Sequence, residues 1–161
     1  MYSKILVPLD GSGLAECVFE HVKEIAKGCG ETASIDLLYV VPPFNTYMQS
    51  LTETTDKRIP DGDIQAFGTA RYEKWGEDYL GGVAKAFAKD GLTARSVVLK
   101  GAPAEVILNY IKDNAIDLVI MSTHGRSGPA KWVLGSVADR VLRQSLAPVM
   151  IVRPQECQVT I

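Results

Sequence analysis

Short apolar runs alternate along this chain with segments of helical periodicity, and this alternation restricts the possible folds more than any other feature. We interpret as strands the runs 5–9, 34–41, 93–99, 117–122 and 148–152. The segments between them with helical patterns are 15–28, 70–89, 101–114 and 135–144. Alternating strands and helices are typical of parallel sheets with right-handed crossovers. We therefore predict an α/β fold, a doubly wound five-stranded parallel sheet with helices on both faces.

The length of the chain, 161 residues, fits one domain with a sizeable core. The segment from Phe44 to Thr69 has no sustained period and is rich in Thr, Asp, Gly and Pro. We expect it to form a long surface excursion. The expected organisation is therefore a single domain over residues 1–161.

Charge and composition argue against several classes of partner. The formal net charge of -2 lacks the basic excess of a non-specific nucleic-acid binder, so we expect no nucleic-acid partner. The N-terminus lacks the features of a signal peptide, and no apolar run is long enough to span a membrane, so we expect a soluble, cytoplasmic protein without a membrane partner. Cys17, Cys29 and Cys157 form no CxxC pair and are expected to be reduced thiols. His21 and His124 are too few for a multi-histidine metal site.

The segment Ser122–Ser136, STHGRSGPAKWVLGS, has the composition of a phosphate-binding loop. It follows an apolar run and precedes a predicted helix. Gly125 and Gly128 let the backbone turn sharply and approach an anion, while N–H groups of the turn and the helix start supply donors. Ser136 adds a hydroxyl. We predict an anion site here.

A second candidate loop, Pro8 to Gly13, follows the first strand. In doubly wound sheets, ligands bind outside the carboxyl ends of the strands, where the strand order reverses. If the first and fourth strands are neighbours, this loop and the loop from Ser122 to Gly128 face the same crevice.

Four stretches, spread from the first strand to the last, carry a family pattern: ILVPLDGS, LLYVVPP, KGAPAEVIL and DLVIMSTHGRSGPAKWVLGSVADRVLRQSLAPVMIVRP. On these residues the chain resembles the universal stress protein family over essentially its whole length. The resemblance implies a Rossmann-like sheet with strand order 3-2-1-4-5. ATP-binding members carry G-x-x-G, nine residues, and then glycine followed by Ser or Thr. Gly125, Gly135 and Ser136 match this pattern, whereas Ser122 replaces the first glycine.

The resemblance also implies which residues bind ATP or AMP. Pro8, Leu9 and Asp10 are expected at the base and ribose, Val40 beside the adenine, and the phosphates against 125–128 and 136–138. A carboxylate at the end of a buried strand, such as that of Asp10, can accept hydrogen bonds from ribose hydroxyls. The complete predicted ligand-binding set is Pro8, Leu9, Asp10, Val40, Ser122, Thr123, His124, Gly125, Arg126, Ser127, Gly128, Gly135, Ser136, Val137 and Ala138.

Several of these residues also have a purely structural interpretation. Asp10 can serve as a cap in its Asp-Gly-Ser turn, and Val40 can be an ordinary core residue. Because no Ser-His-Asp or Cys-His spacing surrounds His124, we interpret it as a residue that holds the loop shape. Trp75 and Trp132 are interpreted as packing residues.

The favoured function is that of a regulatory or sensor protein of the stress response that binds ATP or another adenine nucleotide. We find no Walker lysine and no carboxylate cluster for a divalent metal, so Mg or Mn would be held mainly by the phosphates. We predict no catalytic residue, and slow ATP hydrolysis stays open. The alternative is a dimeric stress protein that acts through protein contacts without nucleotide, as Ser122 suggests. An enzyme that uses ATP to activate a substrate would need a second-substrate site, which 44–69 does not display.

The last predicted strand is the candidate for self-association. The run Ala147 to Pro154 is apolar and would leave an open edge in the strand order that the resemblance implies. Since family members pair their last strands, we expect a homodimer through this run. The sequence does not identify the regulatory protein partner.

Overall fold

The structure, a computed structural model, describes residues 2–29, 33–43, 69–123 and 134–153. The strands in these ranges are β1 (Lys4–Leu9), β2 (Ser34–Val41), β3 (Thr93–Lys100), β4 (Leu118–Ser122) and β5 (Val149–Val152). A 3₁₀ turn, Ala15–Val18, leads directly into α1 (Phe19–Cys29). The remaining helices of the described part are α2 (Thr69–Lys89), α3 (Pro103–Asp113) and α4 (Ser136–Gln144).

All the strand pairs of the sheet are parallel, in the order β3-β2-β1-β4-β5. β1 pairs with β2 on one side, and with β4 on the other through Ile5 opposite Leu118. The strand order therefore reverses between β1 and β4, and the predicted fold and strand order are confirmed. The predicted excursion over 44–69 lies outside the described residues except for Thr69, which begins α2. That residues 1–161 form one domain stays a prediction.

Alternation along β1 distributes its apolar side chains between two cores. Ile5, Val7 and Leu9 pack in the core that also contains buried residues of α1 and α2. Leu6 points to the opposite face and packs with buried residues of α3 and α4. All four side chains are at most 5% exposed. A strand covered on both faces must be apolar at nearly every position, which explains the continuous run in the sequence.

A half-buried carboxylate joins the beginnings of β1 and β4. Asp117 Oδ2 accepts hydrogen bonds from the Ser3 N–H and Ser3 Oγ, each at 2.8 Å, and Asp117 Oδ1 accepts from the Lys4 N–H at 3.0 Å. Burial alone would raise the pKa of Asp117, but the hydrogen bonds from Ser3 and Lys4 outweigh it and lower the pKa below 3.8. This contact fixes the amino end of β1, opposite the end where the candidate site lies.

A second polar cluster attaches α3 to the sheet. Asp36 on β2 is only 3% exposed and pairs with the Arg95 guanidinium on β3. Tyr110 on α3 donates its hydroxyl to Asp36 Oδ2 at 3.0 Å and accepts from Arg95 Nη2 at 3.0 Å. Burial and the neighbouring Asp36 carboxylate raise the pKa of Tyr110, so the phenol stays protonated at neutral pH. The buried Asp36 carboxylate thus accepts hydrogen bonds from a charged group, the Arg95 guanidinium, and from a neutral group, the Tyr110 hydroxyl.

Candidate functional site

The loop that follows β1 is shaped by a short side-chain turn. Asp10 Oδ1 accepts hydrogen bonds from the Ser12 N–H at 2.9 Å and from Ser12 Oγ at 2.7 Å. Ser12 Oγ in turn accepts from the Ala15 N–H at 3.1 Å, at the start of the 3₁₀ turn. Ser12, and not Asp10, therefore supplies the oxygen that caps this turn. The Asp10 carboxylate accepts the two hydrogen bonds that shape the loop, and Asp10 is also a lining residue of the cavity described below.

The end of β4 and the start of α4 approach each other through their backbones. The Gly135 N–H donates to the Thr123 carbonyl oxygen at 2.8 Å. A Cβ placed on Gly135 would lie only 2.8 Å from the same oxygen, so the approach requires glycine. Ser136 is the first residue of α4, and the first intrahelical bond of the helix runs from the Asp139 N–H to the Gly135 carbonyl. The N–H groups of Ser136, Val137 and Ala138 therefore precede the regular bonding pattern, as at any helix start.

The loop after β1, the end of β4 and the start of α4 line a cavity of about 280 Å³ at the carboxyl ends of β1, β2 and β4. Its volume is near the lower end, about 300 Å³, of the range for small-molecule sites. Most of the lining is apolar, and the polar groups are concentrated at Asp10, Ser122, Thr123 and the start of α4. The described lining residues are Pro8, Leu9, Asp10, Ala15, Leu38, Tyr39, Val40, Pro42, Pro103, Ile107, Met121, Ser122, Thr123, Gly135, Ser136, Val137 and Ala138. The cavity combines an apolar slot, a carboxylate and a helix N-terminus.

The structure brings together the predicted ligand-binding residues that it describes. Those lining the cavity are Pro8, Leu9, Asp10, Val40, Ser122, Thr123, Gly135, Ser136, Val137 and Ala138. The other predicted residues, His124, Gly125, Arg126, Ser127 and Gly128, lie outside the described residues, as does Trp132. The first and fourth strands are neighbours, as the expectation of a shared crevice requires, and the described part of the second loop, Ser122 and Thr123, lines the same cavity as Pro8, Leu9 and Asp10. The rest of that loop, 124–128, lies outside the described residues.

Sequence reasoning missed several apolar lining residues. Leu38 lies two positions before Val40 and so shares its face of β2, while Ile107 and Pro103 come from α3. Met121 is buried at the end of β4. Because side chains two positions apart in a strand share a face, the prediction of Val40 as a lining residue could have been extended to Leu38. The α3 residues carried no comparable signal, because their pattern is that of any amphipathic helix.

The described residues offer neither a metal-binding cluster nor a membrane-spanning helix. Within 2–29, 33–43, 69–123 and 134–153, no group of three or more His, Cys, Asp or Glu side chains could hold a metal ion. Over the same part of the chain, no helix is both long and apolar enough to cross a membrane. Cys29 is a buried free thiol.

Comparison with known sequences gives matches that span nearly the whole chain. The sequence profile described as "Universal stress protein family" matches residues 1–153. Universal stress protein YxiE of Bacillus subtilis is 29% identical over 153 residues, which cover 95% of this chain and 100% of YxiE. Universal stress protein MJ0531 of Methanocaldococcus jannaschii is 30% identical over 156 residues, covering 95% of this chain and 83% of MJ0531.

Solved structures with the same fold include proteins with bound adenine nucleotides. MJ0577 of Methanocaldococcus jannaschii aligns with a TM-score of 0.77 at 24% identity, over 95% of this chain and 96% of MJ0577. An Arabidopsis thaliana family protein with AMP bound aligns with a TM-score of 0.64 at 18% identity, over 94% and 91% of the two chains. A universal stress protein in complex with cAMP aligns with a TM-score of 0.61 at 21% identity, over 95% and 98%. At these identities the likeness concerns the fold.

Proposed function

The chain belongs to the universal stress protein family, and we propose that it is a regulatory protein that binds an adenine nucleotide, with ATP as the preferred ligand. One observation carries the proposal: an apolar slot, a carboxylate and the N-terminus of α4 line a single cavity at the point where the strand order reverses. The complexes of two structural relatives with AMP and cAMP support adenine as the base.

The base and ribose are assigned to the part of the cavity nearest β1 and β2. The adenine ring would pack against apolar side chains, among them Val40, and gain stability from the surface it removes from water. The ribose hydroxyls would donate to the Asp10 carboxylate. A carboxylate can accept about four hydrogen bonds, so the two that Ser12 donates to Oδ1 are compatible with ligand contacts.

The phosphates are assigned to the start of α4. The N–H groups of Ser136, Val137 and Ala138 and the positive end of the helix dipole are suited to an anion. The predicted contacts of Gly125 to Gly128 would complete this half of the site, outside the described residues. A Mg or Mn ion would be held mainly by the phosphates. We propose no catalytic residue and at most slow hydrolysis of ATP.

The serine at the first glycine position of the family motif is compatible with this assignment. Ser122 is the last residue of β4, where it pairs with Val152, and it therefore has extended backbone geometry. Among the described non-glycine residues only Ala115 has a positive φ. Ser122 thus needs none of the conformational freedom that glycine provides.

The regulatory output is proposed to involve a homodimer. β5 forms one edge of the sheet, and within the described residues its strand partner is β4. Met150 and Ile151 are only partly buried there, so pairing with a second copy would cover both their side chains and the open backbone edge. Cytoplasmic location, and a protein partner that reads the nucleotide state, belong to the same proposal.

Calorimetric titration with Mg-ATP, with AMP and cAMP as comparison ligands, tests the proposal. We expect saturable binding of ATP at about one site per chain, tighter than that of AMP, because the additional phosphates gain contacts at α4. Absence of heat, together with no nucleotide retained through purification, would contradict the proposal and favour a protein that acts through protein contacts alone.

A charge variant examines the phosphate assignment separately. Ser136→Glu places a carboxylate in the first turn of α4, where it is favourable for the helix but repels phosphate. We expect ATP affinity to fall by about tenfold or more. Ala86→Glu adds the same charge at an exposed position of α2 and should leave affinity unchanged. Equal affinities of the two variants would reject the assignment of the phosphates.

A further inference from the structure

Trp75 of α2 contacts the backbone of the loop that follows β1. Gly11, in this loop, has a φ of +80°. A Cβ placed on Gly11 would lie 2.1 Å from Trp75 Cη2 and 2.8 Å from Cζ3. The six-membered ring of the indole therefore occupies the space that any other residue at position 11 would need. Gly11 is constrained twice, by its left-handed conformation and by the indole.

Two tyrosines hold this indole in place. The Tyr79 ring stacks on Trp75 with a centroid separation of 5.2 Å and an interplanar angle of 8°. The Tyr39 ring lies tilted by 60° at 5.4 Å. A Cβ on Gly76 would fall 2.5 Å from Tyr39 Cδ1, so α2 approaches Tyr39 closely at this turn of the helix. We call Tyr39, Trp75 and Tyr79 the aromatic clamp.

The clamp is also connected to the start of the 3₁₀ turn. Tyr79 donates its hydroxyl to Glu16 Oε1 at 3.2 Å. Glu16 lies in the turn Ala15–Val18, immediately after the loop that Trp75 contacts. The aromatic clamp thus contacts the loop at Gly11 and the 3₁₀ turn that follows the loop.

A short path leads from the indole to the cavity. Gly11 is the residue between Asp10 and Ser12, whose two hydrogen bonds to Asp10 Oδ1 define the turn. Ser12 is only 4% exposed, so it has little room to reorient. Because Gly11 joins Asp10 to Ser12, a displacement of Gly11 would move Asp10 relative to the fixed Ser12. The Asp10 carboxylate would then point in another direction, and Asp10 is a lining residue of the cavity.

We propose that Trp75 is a positioning residue of the nucleotide site: by pressing on Gly11 it keeps the Asp10 carboxylate in the orientation that accepts the ribose hydroxyls. The proposal rests on the function proposed above and extends it to a residue outside the cavity lining. It assigns to α2, which packs against β2 and β3, a role in recognition of the ribose.

The test compares the affinities for Mg-ATP and for 2′,3′-dideoxy-ATP, because only the first can donate ribose hydroxyls to Asp10. In the unaltered protein we expect ATP to bind about 10- to 100-fold more tightly, as for hydrogen bonds to a charged acceptor. Trp75→Phe retains an aromatic ring beside Tyr79 but lacks the outer six-membered ring that reaches Gly11. In this variant the preference should fall to about threefold or less. Trp75→Leu is a second variant, in case one of the two fails to fold.

Phe87→Leu is the matched control. Phe87 lies on the same helix, is 1% exposed and packs edge-on against Phe19. The nearest atoms to a Cβ placed on Gly11 belong to Trp75 and not to Phe87. This variant should be less stable than the unaltered protein and yet keep the full preference for ATP. The ratio of the two affinities therefore separates positioning of Asp10 from a general loss of stability.

The outcomes distinguish the two proposals. If the unaltered protein binds no ATP, both are wrong. If it binds ATP and dideoxy-ATP equally, or if a folded Trp75 variant retains the preference, nucleotide binding stands and the positioning role of Trp75 is wrong. Loss of the preference in Phe87→Leu as well would also reject it, because the effect would then follow stability alone.

Discussion

Replacement of Gly135 by alanine is expected to destabilise the protein and to weaken nucleotide binding for a steric reason. The backbone of Gly135, at φ -57° and ψ 148°, is accessible to any residue, so conformational strain is not the cause. The added Cβ would lie 2.8 Å from the Thr123 carbonyl oxygen, whereas ordinary contacts begin at 3.4 Å. The end of β4 and the start of α4 must therefore separate by the difference, roughly 0.6 Å, in a closely packed region.

The magnitude follows from the contacts that this separation changes. It lengthens the Gly135 N–H to Thr123 hydrogen bond from 2.8 Å towards the limit of hydrogen bonding, a loss of about 1 kcal/mol. Overpacking adds about 1–3 kcal/mol, while the lower entropy of the unfolded alanine chain returns about 0.4–1 kcal/mol. The expected net loss of stability is about 1–3.6 kcal/mol, which lowers Tm by roughly 2–14 °C for a protein of this length.

Urea unfolding and ATP calorimetry on the same samples check this prediction. Gly82→Ala is the control, because Gly82 lies within α2 and a Cβ there meets nothing within 4 Å. The control should gain about 0.5–1 kcal/mol, since alanine favours a helix interior over glycine. For Gly135→Ala we expect the loss of stability together with weaker ATP binding, because the N–H groups of α4 move. A Gly135→Ala protein as stable and as tight in binding as the unaltered one would refute the reasoning.

Three further predictions concern the polar clusters and the sheet edge. Asp117→Asn should lower the free energy of unfolding at pH 7 by about 1 kcal/mol. Because the folded pKa of Asp117 lies below 3.8, the difference in stability between the variant and the unaltered protein should persist at pH 5 and shrink below pH 3.8. Urea unfolding measures it, and a difference that stays constant with pH would contradict the assignment. Tyr110→Phe should cost about 1–2 kcal/mol by removing a donor from buried Asp36, and an unchanged urea midpoint would argue against the cluster as a stabilising contact. Aspartate at Met150 or Ile151 should give monomers by light scattering, whereas an intact dimer would exclude pairing through β5.

The strands were predictable from the sequence because both faces of the sheet are covered. In β2 six of the eight residues are buried, and all six are apolar except Asp36, which pairs with Arg95. Such a strand gives a short, nearly continuous apolar run that turn residues delimit. The boundaries of strands and helices differ from the predictions by at most two residues, as expected where they fray. The strand order came from the family resemblance, since apolar runs by themselves do not specify which strands are neighbours.

The contacts that shape the site were less accessible, because they join residues far apart in the sequence. The pattern Asp-Gly-Ser predicted a turn, but not that Ser12 would cap the 3₁₀ turn while Asp10 accepts from Ser12. Trp75 was interpreted as a packing residue, and it does pack. Its contact with Gly11 depends on the placement of α2 beside the loop that follows β1, which no local pattern specifies.

The described glycines of the candidate site have different physical requirements, and this bears on the family motif. Gly11 needs both a left-handed backbone and space for Trp75, whereas Gly135 needs only space beside the Thr123 carbonyl. Ser122 stands where the motif has its first glycine. This position imposes no left-handed backbone, because Ser122 is an extended strand residue paired with Val152. A serine there removes none of the backbone approaches that form the described part of the cavity. Of the described motif positions 122, 135 and 136, position 135 is therefore the one where a side chain is least tolerated. Gly135→Ala should impair ATP binding more than the natural serine at 122 does relative to a Ser122→Gly variant.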